Sequence, residues 1–154
     1  MLAALACVAT MVIKIPSPLS GYLNLGDCIV LLSGWLMPPL YGFMAAAAGS
    51  ALADVLSGFI IYAPATFLIK GSMALTACYG HKLLSKKTSG PVSHVISGIA
   101  AELFMILGYF IFEGILYGFA ASAVNISMNA VQGAAGLVLG ILLTGIFLKH
   151  RIIG

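Results

Sequence analysis

Glu102, Tyr109 and Glu113 stand seven and four residues apart, a spacing that returns all three to one helical face at about 100° per residue. A second set, Asn125, Asn129 and Gln132, repeats at i, i+4 and i+7 and also shares a face. Carboxylates, a phenol and amides in such rows can hold a small molecule by several hydrogen bonds at once. They are not the parts of a catalytic centre, because no nucleophile–histidine pair or metal-ligand cluster accompanies them. His81, His94 and His150 fall at the far ends of their segments, where solvation is expected and a metal site is not.

Two further polar clusters interrupt an oily chain. One runs from Lys14 to Asp27 through Pro16, Pro18, Gly21, Tyr22, Asn24 and Gly26. The other runs from Gly49 through Asp54, Ser57 and Gly58 to Tyr62, Pro64, Thr66, Lys70 and Gly71. Charges are costly in hydrocarbon, and those that persist there usually line a site or pathway. Irregular Gly- and Pro-bearing backbone is tolerated at membrane depth only where protein or a cavity covers it. Asp54 and Lys70 can form a salt bridge, or Lys70 can touch a ligand directly. Asp27, just after Gly26 and before an apolar run, reads as a helix cap that also favours the positive end of the dipole. The Gly21–Asp27 glycine spacing is like that of a phosphate loop, but Asp27 stands where lysine is needed and would repel phosphate. No nucleotide site is expected in this chain.

The elements that must position these groups are membrane helices. Hydrophobic residues make up 62% of the 154 and charged residues 7%, against about 25% charged in a soluble domain. A signal peptide does not account for this, since apolar segments continue to the C-terminus. The net charge of +3 comes from short clusters and not from a basic face, so nucleic acid is not expected as a partner. Cys7, Cys28 and Cys78 have no metal spacing and read as small apolar fillers.

A crossing helix needs about 20 apolar residues. Six spans follow: Leu2 to Ile15, a short Asp27 to Met37, Leu40 to Ile61, Thr66 to Leu84, Val92 to Tyr117 and Ser127 to Leu148. A five-span count, with the second segment re-entrant, is the alternative. The fold class is therefore an all-α integral membrane bundle, one domain over residues 1–154. Lys82, Lys86, Lys87, Lys149 and Arg151 collect at the ends that six spans place together with the N-terminus, which predicts cytoplasmic termini. The Lys14–Asp27 loop, the Tyr62–Thr66 turn and the Ala120–Ile126 connection then face outward. Ala45, Gly49, Ala53 and Ser57, like Gly136, Gly140 and Thr144, are small residues at helical spacing that allow close packing. Ala3, Ala4, Ala6 and Ala9 leave a smooth surface on the first span that suits a partner protein.

The run Ile15-Pro16 to Gly21-Tyr22-Leu23-Asn24-Leu25-Gly26-Asp27 is one part of a wider pattern. With Ala51-Leu52-Ala53-Asp54, Tyr62-Ala63-Pro64-Ala65-Thr66, Lys70-Gly71 and Asn129-Ala130-Val131-Gln132 it resembles the substrate-binding S components of energy-coupling factor (ECF) vitamin transporters. The resemblance is to the riboflavin-type branch, which includes hydroxymethylpyrimidine and pyridoxine carriers. It implies six helices, an outward-facing vitamin site and a first loop that covers the ligand. It also implies a transmembrane T component and two ABC-type ATPases as partners, with ATP and magnesium used by those ATPases and no cofactor in this chain. The family's helix-one docking pattern maps onto Ala3 and Cys7, and Ala6 and Thr10. The expected vitamin site comprises Tyr22, Asn24, Lys70, Glu102, Tyr109, Glu113, Asn129 and Gln132. The scarcity of aromatics in the outer clusters favours a compact one-ring vitamin, pyridoxine- or hydroxymethylpyrimidine-like, over riboflavin.

The orientation is checked by thiol labelling in a background free of Cys7, Cys28 and Cys78. A cysteine at Lys87 should resist a membrane-impermeant reagent added outside, and one at Ser20 should react; the reverse pattern would overturn the assignment.

Overall fold

The computed structural model describes residues 1–16 and 22–151; residues 17–21, including the Ser20 position, lie outside the described residues, as do the side chains of His150 and Arg151. Six helices and one two-stranded hairpin follow in the order α1 (Leu2–Val12), β1 (Lys14–Pro16), β2 (Tyr22–Asn24), α2 (Asp27–Leu36), α3 (Pro39–Leu56), α4 (Ala63–Leu84), α5 (Gly90–Tyr117) and α6 (Phe119–Arg151). The protein has an all-α membrane fold. Proline stands in the first turn of α3, α4 and α5, where its missing N–H leaves no helical bond unmade.

The helices differ in reach. Three are long and apolar enough to cross a membrane: Pro39–Leu56, Gly90–Tyr117 and Phe119–Lys149. At 22 residues α4 is also long enough, but Lys70, Ser72, Thr76, His81 and Lys82 make it more polar. The first span ends earlier than expected, at Val12, because Lys14 to Pro16 pair as a strand with Tyr22 to Asn24. The register is Lys14 with Asn24, Ile15 with Leu23 and Pro16 with Tyr22. Part of the expected loop is thus a hairpin. The Ala120–Ile126 connection is not a loop either: α6 begins at Phe119, and the turn from α5 is Gly118 alone, at φ +92. An L side chain is strained at that φ even though a Cβ there would meet nothing within 4 Å, so glycine is the residue that permits so short a turn.

The short α2 is the centre of the bundle. Every residue from Asp27 to Trp35 is buried, which explains why it shows no polar face. Ten residues rise only about 15 Å, half the hydrocarbon thickness. It packs against α6, α4, α3 and α1. Asp27 lies against Gly136, Leu31 against Gly140, and Trp35 against Gly98 and Gly140, so α2 runs alongside α6 toward the lysine-bearing end. Trp35 donates its indole N–H to Ser97 Oγ at 3.1 Å. The column beyond the N-terminus of α2 is filled by the hairpin instead of by more helix.

The small residues do what close packing requires. A Cβ on Gly49 would come within 2.4 Å of the Ala3 carbonyl and 2.8 Å of the Ala6 Cβ, so α1 lies directly on α3. The residues of the expected docking pattern face this contact. Ala6, Cys7 and Thr10 are buried inside this chain, and Ala3 borders the same contact, because the apposed face of α3 is equally small. The side of α1 left exposed carries Ala4, Leu5, Val8 and Val12. Exposed Leu103, Leu107, Ile111, Ile115, Val131, Val138 and Leu142 make the outside of α5 and α6 a surface suited to lipid.

His94, with His81, also differs from expectation. His94 is buried, stacks on His81 at 4.0 Å between ring centroids and meets the edge of Trp35 at 4.9 Å. Its Nδ1–H donates to the Gly90 carbonyl at 2.7 Å, and His81 Nδ1 pairs with Ser93 Oγ at 2.8 Å. These rings pack the lysine-bearing end. Among the described residues no three His, Cys, Asp or Glu side chains are grouped to hold a metal.

Two glycines on α6 test this packing. A Cβ on Gly136 would sit 2.5 Å from the Asp27 Cβ, whereas one on Gly145 meets nothing within 4 Å. Gly136→Ala should destabilise the protein by about 1–3 kcal/mol through overpacking. Gly145→Ala should be neutral or stabilising by up to about 1 kcal/mol, from helix propensity alone. Thermal melts of the purified variants compare them directly.

Candidate ligand-binding site

A cavity of about 40 Å³ lies at the hairpin end, above the N-terminus of α2. Tyr22, Leu23 and Asn24 close it from β2, Asp54 and Phe59 from the end of α3 and the turn after it, and Tyr62 and Thr66 from the start of α4. Tyr109 and Glu113 reach it from α5, and Asn125, Met128, Asn129 and Gln132 from α6.

The base of the site is an ion pair. Lys70 Nζ donates to Asp27 Oδ1, both side chains being almost fully buried. Gln132 Nε2 donates to the other oxygen, Asp27 Oδ2, at 2.8 Å. The Gln132 carbonyl in turn accepts the Asn24 backbone N–H at 3.0 Å, so one amide ties α2 and the hairpin to α6. Asn24 Oδ1 accepts the Gly26 N–H at 2.8 Å and turns the chain from β2 into α2.

The hairpin is pinned on its other side too. Lys14 Nζ donates to Ser57 Oγ, and the Tyr22 hydroxyl donates to Asp54 Oδ1 at 2.7 Å. Burial first, and then this bond to Asp54, hold the Tyr22 phenol above its ordinary pKa, so it stays a neutral donor. Its ring packs on Phe59 at 4.7 Å. The opposite wall is built by Glu113, whose Oε1 accepts from Asn125 Nδ2 at 2.7 Å and from the Tyr62 hydroxyl at 3.3 Å. Thr66 Oγ1 and the Tyr109 hydroxyl share a hydrogen bond of 3.0 Å.

Of the residues singled out from sequence, Tyr22, Asn24, Tyr109, Glu113, Asn129 and Gln132 line the cavity. Lys70 and Glu102 do not. Lys70 is committed to Asp27, although its ammonium also lies over the Tyr109 ring, 5.5 Å from the centroid. The expected partner, Asp54, is engaged by Tyr22 instead. Glu102 sits deeper, against the α6 backbone at Gly133 and Gly136, and its two carboxyl oxygens have no hydrogen-bond partner among the described residues. It shares a helical face with Tyr109 and Glu113, but seven residues carry it about 10 Å down the axis, past the cavity floor.

Asp27, below the cavity, differs from its expected role. Asp27 is not a side-chain cap; it makes no capping bond and is the first helical residue of α2. Asn125 lies more than one turn inside α6 and reaches the cavity from there. Phe59, Thr66 and Met128 were not singled out as site residues. Phe59 and Thr66 flank the Tyr62 cluster and carry a signal in that proximity; Met128 carries none, being one apolar residue among many.

The bundle thus carries a polar cavity covered by a hairpin at one end. The chain belongs to the family described as "ECF-type riboflavin transporter, S component", whose sequence model matches residues 1–149. It is 36% identical over 146 residues to an uncharacterized protein in the gap 3′ region of Pyrococcus woesei, covering 94% of this chain and 95% of that one. Among solved structures it is similar to the S component of a bacterial ECF transporter, at a TM-score of 0.76 and 25% identity, covering 98% of this chain and 93% of the other.

The ion pair yields a double-mutant cycle. Lys70→Met or Asp27→Asn alone should each cost about 3–5 kcal/mol, because each leaves a buried group unmatched. The two together should cost clearly less than their sum, whereas Lys70→Met with Asp54→Asn, which share no hydrogen bond, should show a much smaller coupling. Melting of the purified proteins reads both.

Proposed function

We propose that this chain is the vitamin-capturing subunit of an ECF importer that carries a compact one-ring vitamin, pyridoxine- or hydroxymethylpyrimidine-like. The observation that carries the reading is the cavity itself. Tyr22, Phe59, Tyr62 and Tyr109 surround a small space whose remaining lining is mostly amides and carboxylates. Tyrosines can stack on one ring while the amides of Asn129 and Gln132 read its substituents. At about 40 Å³ the space holds little more than a water or two, so a ligand enters by displacing the hairpin. A single ring demands the smaller displacement. Riboflavin is the alternative substrate, favoured by the description of the family.

In this reading the hairpin is the cover of the site. Entry is from outside the cell, both termini are cytoplasmic, and the hairpin opens by releasing Lys14 from Ser57 and Tyr22 from Asp54. Energy comes from a T component and two ABC-type ATPases, which use the ATP and magnesium. Lys70 and Glu102 support the site from below and need not touch the vitamin.

Two measurements test the proposal. Concentrative vitamin uptake into vesicles should require the co-expressed T component and ATPases; sustained uptake by this chain alone under a proton gradient would contradict it. Asn129→Ala should weaken vitamin binding in calorimetry by about 0.5–1.5 kcal/mol, the worth of a neutral hydrogen bond, without altering the melt.

A further inference from the structure

Helices α5 and α6 pack closely at mid-length and part toward the lysine-bearing end. A Cβ on Gly98 would come within 2.3 Å of Leu137 Cδ1, and one on Gly133 within 2.9 Å of Glu102 Oε2. Nearer the lysines, a Cβ on Gly90 of α5 or on Gly145 of α6 would meet nothing within 4 Å. The gap between them is a cleft of about 180 Å³, several times the cavity at the hairpin end. Pro91, Gly145 and Leu148 on its rim are exposed, so it opens on the outside of the bundle. Its polar groups are turned away. Thr144 Oγ1 donates to the Gly140 carbonyl at 2.8 Å and His94 Nδ1–H to Gly90, which leaves a wall of carbon with Ile141 and Leu148. Protein interiors are close-packed, and an unfilled gap forfeits the contacts of every atom around it. In a bilayer the filler at hand is hydrocarbon.

The rim says which hydrocarbon. Lys82, Lys86 and Lys87 are exposed just before α5 begins at Gly90, and Lys149, also exposed, follows Leu148. With Arg151 these are five of the seven bases of the chain. None of its four acids lies here; along α5 the first is Glu102, about 18 Å from Gly90. Gly90 and Pro91 line the cleft with the first turn of α5, and Ser89 makes no side-chain cap there, so the positive end of the helix dipole is open. Bases clustered beside a membrane helix attract anionic lipid headgroups. The depth matches as well. Half of the hydrocarbon core is about 15 Å, the rise from Gly90 to Ala100. Leu137, seated on Gly98, closes the gap near that level, so the cleft is about one leaflet deep.

We propose that the cleft between α5 and α6 binds one anionic phospholipid, its acyl chain beside Ile141 and Gly145 and its phosphate at the N-terminus of α5, at the end that bears Lys86, Lys87 and Lys149. The proposal does not depend on what the hairpin-end cavity takes. The lipid bridges two helices where their own side chains leave space, and it ties the lysine-bearing end to the anionic face of the bilayer. A zwitterionic lipid has the chain but brings an ammonium to a cluster of ammonium groups. A free phosphate has the charge but nothing to place in the cleft.

The test uses the full chain, purified in detergent and stripped of lipid, with phosphatidylglycerol and phosphatidylcholine of the same acyl chains as probes. Native mass spectrometry should show one phosphatidylglycerol retained per chain, with phosphatidylcholine about tenfold weaker, and phosphatidylglycerol should raise the melting temperature more. Gly145→Leu fills the cleft from a position with open space before it and should abolish retention without lowering the lipid-free melt. Leu148→Trp, on the exposed rim, takes its place if that variant does not fold. Lys86→Gln, Lys87→Gln and Lys149→Gln together should bring the two lipids to similar affinity. Glycerol 3-phosphate, a headgroup without chains, should not compete. Equal retention of the two lipids by the unaltered chain would overturn the proposal. So would retention undiminished by the cleft-filling substitution, or competition by glycerol 3-phosphate.

Discussion

One ion pair organises the interior. Lys70 of α4 and Asp27 of α2 meet where neither has water, and a lone charge at either position would be prohibitive in so apolar a bundle. The pair therefore fixes the height of α2 against α4. Gln132 takes the second oxygen of Asp27 and brings α6 into the same contact. Gly136 completes the arrangement, since the Asp27 side chain occupies the volume that any Cβ there would need. Three helices are held in register by one carboxylate.

What lies above that carboxylate is a consequence of it. Because α2 starts at Asp27, about half of one helical column is left for the hairpin and the cavity. The hairpin is anchored to opposite walls by short polar contacts, Asn24 to Gln132 on one side and Tyr22 to Asp54 on the other. Such bonds are each worth little net, about 1 kcal/mol, so the cover can be released without disturbing the packed half of the bundle. Gln132 belongs to both parts. A ligand touching it would act on the cover through Asn24 and on the helix register through Asp27, by a direct chain of hydrogen bonds.

The opposite end is built by different means. Trp35, His81, His94 and Ser97 pack α2, α4 and α5 by ring contacts and local hydrogen bonds, with Lys82, Lys86 and Lys87 on the exposed rim. Charge is thus segregated along the bundle: all acids buried toward the hairpin and the middle, most bases exposed at the far end. This polarity gives the cavity its acidic character, because the bases that would neutralise it are held away.

The membrane class, the long apolar helices and the polar character of the hairpin end were legible in the sequence, because the bilayer demands apolar length and makes every retained charge conspicuous. Residues related by helical spacing were legible too: Tyr109 and Glu113, like Asn129 and Gln132, share a helical face and line one cavity. Spacing gives a face but not a depth, which is why Glu102 was grouped with them and lies below the floor. Only the tertiary structure decided which charges meet. The sequence paired Lys70 with Asp54 and read Asp27 as a cap; in the structure Lys70 meets Asp27, because α2 is buried in the centre beside α4, and Asp54 takes the Tyr22 hydroxyl. The tertiary structure also decided that the small face of α1 turns inward. A stripe of small residues fits a neighbouring helix or a partner equally well, and the equally small face of α3 reaches it first within the same chain.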